Sequence, residues 1–178
     1  MDGPMSRAED EHNAVEALLA GAAKTIRNVH YCWLVTEAEH GDSNPRPMGR
    51  LLHDADEDEW TIRFLTDGRS RKVADMRRTD RVAIIFQHAP DDAFVTLIGK
   101  ATLHESASEV RARWIDAYDA YFPSAADRAN AIFVAVDVKC IKLWIRGVTP
   151  EPFGLRTTIL ERDAGRGWTV ISNDRKAA

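Results

Sequence analysis

Ser70, Arg71 and Lys72 stand side by side at the end of "RFLTDGRSRK", residues 63–72, directly after an apolar run and a Gly turn. A hydroxyl and two cations where a strand gives way to a helix suit the binding of an anion. The first N–H groups of a helix point outward, its dipole is positive there, and the side chains add full charge. Thr66 ends the preceding strand close by. From Arg69 to Arg81 there are six cations against Asp75 and Asp80, an excess of four in a chain of formal net charge -4. A solvated basic loop is the plain alternative, but bulk solubility does not explain a local excess of cations in an acidic protein. A phosphate-bearing ligand does.

A second group lies upstream. Arg46 opens a segment, "RPMGR", in which Gly49 lets a flat ligand approach the backbone and Pro47 implies an edge strand or an interrupted ladder. Strand backbone facing a ring edge supplies paired donors and acceptors, as a heteroaromatic requires. Met48 and Phe64 are candidates to pack on the faces of such a ring, although for each taken singly a place in the core is the better expectation.

Other chemistries are poorly represented. Cys32 and Cys140 lie far apart in apolar segments, and the six histidines are scattered without metal-ligand spacing, so no metal site is expected. No G-x-G-x-x-G, Walker A or G-x-S-x-G string occurs, and no dedicated general acid or base stands out, so the catalytic residues stay unassigned. The acidic total charge argues against a nucleic-acid partner or an anionic membrane surface. The N-terminal "MDGPMSRAEDEH" has no apolar core of a signal peptide and no run reaches a membrane span, which leads to the expectation of a cytoplasmic protein.

The elements that must position these residues follow from periodicity. Residues 8–27 carry Val15, Leu18, Leu19, Ala22 and Ile26 at helical spacing. Strands are predicted at 30–37, 46–52, 60–66, 81–88 and 93–105, with a short helix at 70–78 and a bulge or bend at Gly99. A helix is predicted at about 108–121, capped by Ser106 with Glu109, then strands at 131–138 and 140–147 and a final hairpin. Connections this short require antiparallel pairing. The fold class expected is mainly β with flanking α-helices, a barrel or sandwich.

These residues resemble a family. "FLTDGRSRK" (64–72) looks like the FMN-binding segment of the pyridoxamine 5'-phosphate oxidase-like split barrels, "VTLIGKATL" (95–103) is similar to their following strand, and "RPM" (46–48) to the Arg-containing strand before it. With Trp114, "YFP" (121–123) and Trp144, the best match is the general stress protein branch, over about residues 10–146. The resemblance implies an antiparallel six-stranded split β-barrel of Greek-key type in a homodimer, with one FMN in each of two clefts at the subunit interface. It implies that Arg46, Ser70, Arg71 and Lys72 hold the phosphate or ribityl end. The backbone of Met48 and Gly49 would meet the ring edge, Phe64, Leu65 and Thr66 would line the cleft, and Trp144 would reach the partner's flavin. Residues 1–149 then form the FMN-binding domain with its N-terminal helix, and 150–178 a hairpin extension of the same domain.

The departures shape the functional expectation. Leu51 and Phe94 stand where the true oxidases carry a Lys and a Gln, and the segment after Trp144 lacks their Arg-x-His-Asp-Arg string, so vitamin B6 oxidation is not expected. The leading reading is a flavin-dependent oxidoreductase acting on an unknown small molecule, with FMN as cofactor and FAD or a deazaflavin as alternatives. The rival is a non-catalytic protein that buffers or senses flavin under stress. A nucleic-acid-binding barrel using the Arg69 to Arg81 patch ranks third.

Overall fold

A computed structural model describes residues 4–52, 58–165 and 167–171, with side chains from residue 8 onward. Helix α1 (Pro4–Asn28) is followed by β1 (Tyr31–Glu37), β2 (Ser43–Gly49), β3 (Thr61–Asp67), α2 (Arg71–Arg78), β4 (Arg81–His88) and β5 (Ala93–His104). Two short helices, α3 (Ala107–Arg113) and α4 (Ala125–Arg128), precede the long β6 (Ala131–Ile145), and β7 (Thr158–Arg162) with β8 (Trp168–Ile171) closes the chain. The fold is mainly β with flanking helices, as expected. The antiparallel sheet has eight strands in the order β2-β1-β4-β5-β6-β7-β8, with β3 also paired to β6. Eight strands stand where six were expected, the added β7 and β8 forming the final hairpin, joined to β6 at Cys140 to Leu143.

The chain divides into two compact units. One holds residues 1–32, 84–98 and 139–178; there Leu18, Ala22 and Ile26 of α1 are buried, as are Phe86, Val95, Ile141, Leu143 and Leu160 of the strands. The other holds residues 33–83 and 99–138 and buries Leu34, Ile62, Phe64, Val73, Met76, Phe133 and Val136. All the candidate anion-binding residues belong to this second unit, and Trp144 belongs to the first.

Several elements differ from expectation for identifiable reasons. Strand β2 begins at Ser43 rather than 46 because an edge strand tolerates Pro45 and Pro47, whose missing N–H groups need no ladder partner. The segment 131–145 is one strand, not two: all of Ala131 to Val134 is buried, burial then falls on even positions through Val138 and on odd positions from Ile141, so Lys139 and Cys140 mark a shift of phase without a turn. The expected helix at 108–121 stops at Arg113, where Trp114 adopts extended backbone. Its indole Nε1 donates to Asp119 Oδ1 at 3.0 Å, and its ring meets Tyr118, Phe122 and Phe133 edge-on. The Ser106 and Glu109 capping box is present. Gly99 does not break β5; a Cβ there would lie 2.4 Å from the Asp137 carbonyl oxygen, so glycine admits the close approach of β6.

Candidate functional site

Three pieces of the second unit converge. Strand β3 pairs with β6 from Thr61 with Asp137 through Asp67 with Ala131, which fixes the level at which the chain leaves the sheet. Gly68 then passes so close that a Cβ would lie 3.0 Å from Ile132 Cγ2, and its N–H donates to the Asn130 carbonyl at 2.8 Å. The turn closes with the Ser70 N–H on the Asp67 carbonyl at 3.1 Å, and α2 starts at Arg71 with Ser70 as its N-cap. The third piece arrives from β2, whose continuation runs beside β3 through a hydrogen bond from Leu51 N–H to the Arg63 carbonyl at 2.8 Å.

Ser70 does not behave as an ordinary cap. Its backbone is extended, with φ -71° and ψ 152°, but its hydroxyl caps no helix N–H, and Oγ is buried without a hydrogen-bond partner among the described residues. A buried unsatisfied hydroxyl carries a desolvation penalty of about 1 to 3 kcal/mol, which a ligand oxygen would relieve. Arg46 Nη2 is in the same condition, buried and without a hydrogen-bond partner, while Nη1 of that guanidinium donates to Thr36 Oγ1 at 2.9 Å.

The charges are arranged to repel one another. Burial lowers the Lys72 ammonium below its ordinary 10.5, and the Arg46 guanidinium lowers it further against the pull of Asp67. Burial likewise lowers Arg46, which Asp75 raises and Arg71 lowers again. Arg46, Arg71 and Lys72 thus share one field, and among the described residues neither Arg71 nor Lys72 has a carboxylate partner within ion-pair distance. A bound dianion would relieve that repulsion and satisfy the two orphaned polar atoms; these residues fit a phosphate.

The structure sorts the rest of the basic run. Arg69 folds back on Asp67, with Nη2 to Oδ2 at 2.7 Å and Nε to Oδ1 at 3.0 Å; those hydrogen bonds hold the Asp67 carboxyl down at about 2. Arg77 pairs with Glu105, and Arg78 reaches the Glu37 carbonyl and Asp75. Three of the six cations are therefore engaged structurally, and Arg71 and Lys72 remain as the pair at the helix start.

Alternation along β3 divides the expected cleft residues. Ile62, Phe64 and Thr66 are buried on one face, and Leu65 is half-buried on the other. Phe64 is 0% exposed, so its ring is packed in the core, and period-two geometry turns Leu65 to the opposite face. Met48 lies half-buried on the face of β2 that carries Arg46 and Asn44, and Gly49 is exposed at the end of that strand. Trp144 is half-buried on β6. Asp75 and Thr36 were not anticipated. Both are buried polar residues, and Asp75 is the acid that compensates Arg46. A carboxylate between Val73 and Met76 on an eight-residue amphipathic helix is the one local signal that could have exposed it. No group of three or more metal-ligating side chains occurs among the described residues, and none of their helices is long and apolar enough to cross a membrane.

Comparison with known proteins places this geometry in a class. Residues 19–150 match the family described as "Pyridoxamine 5'-phosphate oxidase like", and the chain belongs to that family. No curated protein matches the sequence. Among solved structures, a protein related to general stress protein 26 from Clostridium acetobutylicum is 16% identical, with a TM-score of 0.63 over 85% of this chain and 95% of that one. A pyridoxamine 5'-phosphate oxidase-related, FMN-binding protein from Nostoc punctiforme is 17% identical, with a TM-score of 0.61 over 97% and 99%. General stress protein 26 from Bacillus anthracis is 15% identical, with a TM-score of 0.55 over 71% and 92%. At these identities the likeness concerns the fold.

Proposed function

We propose that this chain is an FMN-binding flavoprotein that acts as a flavin-dependent oxidoreductase on a small molecule. The observation that carries the reading is the grouping of Arg46, Arg71 and Lys72 in one electrostatic field at the start of α2, whose N-cap Ser70 has a buried hydroxyl with no hydrogen-bond partner among the described residues. Three cations against Asp75 leave a net charge of about +2, which complements a phosphate monoester carrying about -1.5 to -2 near neutral pH. FMN ends in that group. The FMN-binding description of the Nostoc punctiforme protein supports the same choice.

When bound, the isoalloxazine supplies the redox chemistry, and the protein supplies placement and electrostatics. Arg46, Ser70, Arg71 and Lys72 hold the phosphate end, with Thr66 at the strand terminus beside them. The backbone at Met48 and Gly49 meets the ring edge, and Leu65 flanks the cleft. In this reading two copies form a homodimer with a flavin at each interface, and Trp144 reaches the flavin of the partner. Trp33, 51% exposed on the outward face of β1, is the kind of aromatic that a second copy would cover.

The visible absorption spectrum of the purified protein, with mass spectrometry of the small molecule released by heat, tests the cofactor. A flavin spectrum and the mass of FMN are expected; a colourless protein that fails to bind added FMN contradicts the reading. Oxidation of NADH or NADPH with an added acceptor tests turnover, and tight FMN binding without turnover would favour a flavin buffer.

FMN affinity should also report the lowered pKa of Lys72. The ammonium is needed in its charged form, and its pKa lies below 10.5 before ligand binds. Affinity therefore declines as pH rises through the lowered Lys72 pKa, earlier than a surface lysine would allow. Lys72→Arg should flatten that decline in FMN titrations, since guanidinium stays protonated. An equal decline in Lys72→Arg would assign the effect to another group.

A further inference from the structure

Asp75 is 4% exposed, on the face of α2 that also buries Val73 and Met76. An isolated carboxylate there would be strongly unfavourable, so its surroundings are informative. Burial pushes the carboxyl pKa up, but hydrogen bonds from Thr36 and Asn44 and the charges of Arg78 and Arg46 outweigh it and hold the group ionised. Thr36 Oγ1 donates to Asp75 Oδ2 at 2.7 Å, and Asn44 Nδ2 donates to the same oxygen at 3.1 Å. The Thr36 hydroxyl in turn accepts from Arg46 Nη1 at 2.9 Å. Arg78 Nη1 stands 3.6 Å from Oδ1.

The ordinary role for such a group is a core ion pair fastening β1 and β2 to α2. The geometry of Arg46 differs from that. Its Nη2 remains 3.7 Å from Asp75 Oδ2, outside hydrogen-bond range, and has no hydrogen-bond partner among the described residues. A structural arginine–carboxylate pair tends to a two-pronged fork. Here Asp75 instead engages the guanidinium through the Thr36 hydroxyl, which fixes its plane and spares one nitrogen. Asp75 also lies on the helix whose first residues are Arg71 and Lys72, so Arg46, delivered from a different strand, is referenced to the same rigid element as the other two cations.

We infer that Asp75 is a positioning residue for the anion site: acting through Thr36, it orients Arg46 so that Nη2 meets the ligand phosphate. This inference rests on the reading of the site as one for FMN. FMN and riboflavin affinities are measured by flavin fluorescence quenching for the wild type, Asp75→Asn, Thr36→Val, Thr36→Ser, Arg46→Met and the double variant Arg46→Met/Asp75→Asn. Asp75→Asn and Thr36→Val should each weaken FMN about tenfold, the scale of one charge-assisted contact, and leave riboflavin affinity unchanged. Thr36→Ser, which keeps the hydroxyl, should retain FMN affinity. In the Arg46→Met background Asp75→Asn should have no further effect. Thr36→Val preserves side-chain volume and reads the same link should Asp75→Asn fail to fold. Equal losses for FMN and riboflavin, an undiminished effect without Arg46, or wild-type FMN affinity in Thr36→Val would overturn the inference. A wild-type protein that does not bind FMN would instead overturn the cofactor reading on which it stands.

Discussion

Lys72→Ala is expected to weaken FMN binding about tenfold to a hundredfold while leaving the fold intact. The ammonium is half-buried beside Arg46, and its pKa is lowered mainly because burial removes water from the charge. A cation kept there without a carboxylate partner among the described residues contributes little to the ligand-free fold, and its energy is realised when an anion arrives. Each charged hydrogen bond to phosphate is worth about 1.5 to 3 kcal/mol, and each 1.4 kcal/mol is about tenfold in affinity. Alanine is the best helix former, so α2 loses nothing by the exchange, and the thermal midpoint should hold or rise slightly. Arg69→Ala is the natural control. Its guanidinium is committed to Asp67, so the same titration should return wild-type affinity. Unchanged affinity in Lys72→Ala would remove that residue from the site.

Phe64→Ala carries the largest expected effect on stability. The ring is 0% exposed on β3, opposite Val134 of β6, and its removal leaves a cavity that neighbours on two paired strands cannot fill. Such truncations cost about 3 to 5 kcal/mol, a large part of the stability of a domain this size. The urea midpoint should fall accordingly. Phe64→Leu keeps most of the volume and separates packing from binding: FMN affinity should match the wild type if the ring serves the core alone. Lost affinity in a folded Phe64→Leu protein would return the residue to the cleft.

The outcome at Phe64 and Leu65 illustrates what adjacent letters conceal. Both fall inside the segment that resembles a flavin-binding strand, yet consecutive residues of a strand face opposite sides, and only the pairing of β3 with β6 decides which side is core. The same limit applies to the run from Arg69 to Arg81. Its charge excess was legible, but which cations are consumed depends on acids that the fold delivers: Asp67 next door, Glu105 from the end of β5, and Asp75 from within α2. At Trp114 the helical spacing persisted while the helix stopped, because aromatic packing against Phe133 and a bond to Asp119 outweighed local propensity.

By itself the sequence left the strand bearing Arg46 as an edge or an interrupted ladder, and the sheet order made it an edge. It did determine the mainly β class, the antiparallel connections, and the strand, turn and helix around Ser70, Arg71 and Lys72. These are properties of contiguous residues: turn chemistry, period and the charge at a helix start act over a few positions and leave a pattern in the string. The tertiary structure alone decided that Arg46 is bound through Thr36 to Asp75, partners 10 and 39 residues apart along the chain, and that the Ser70 hydroxyl is buried with no hydrogen-bond partner among the described residues. Burial is what turns a polar side chain from a solvated ornament into a group that must find a partner, and burial is set by packing between segments that no local pattern brings together.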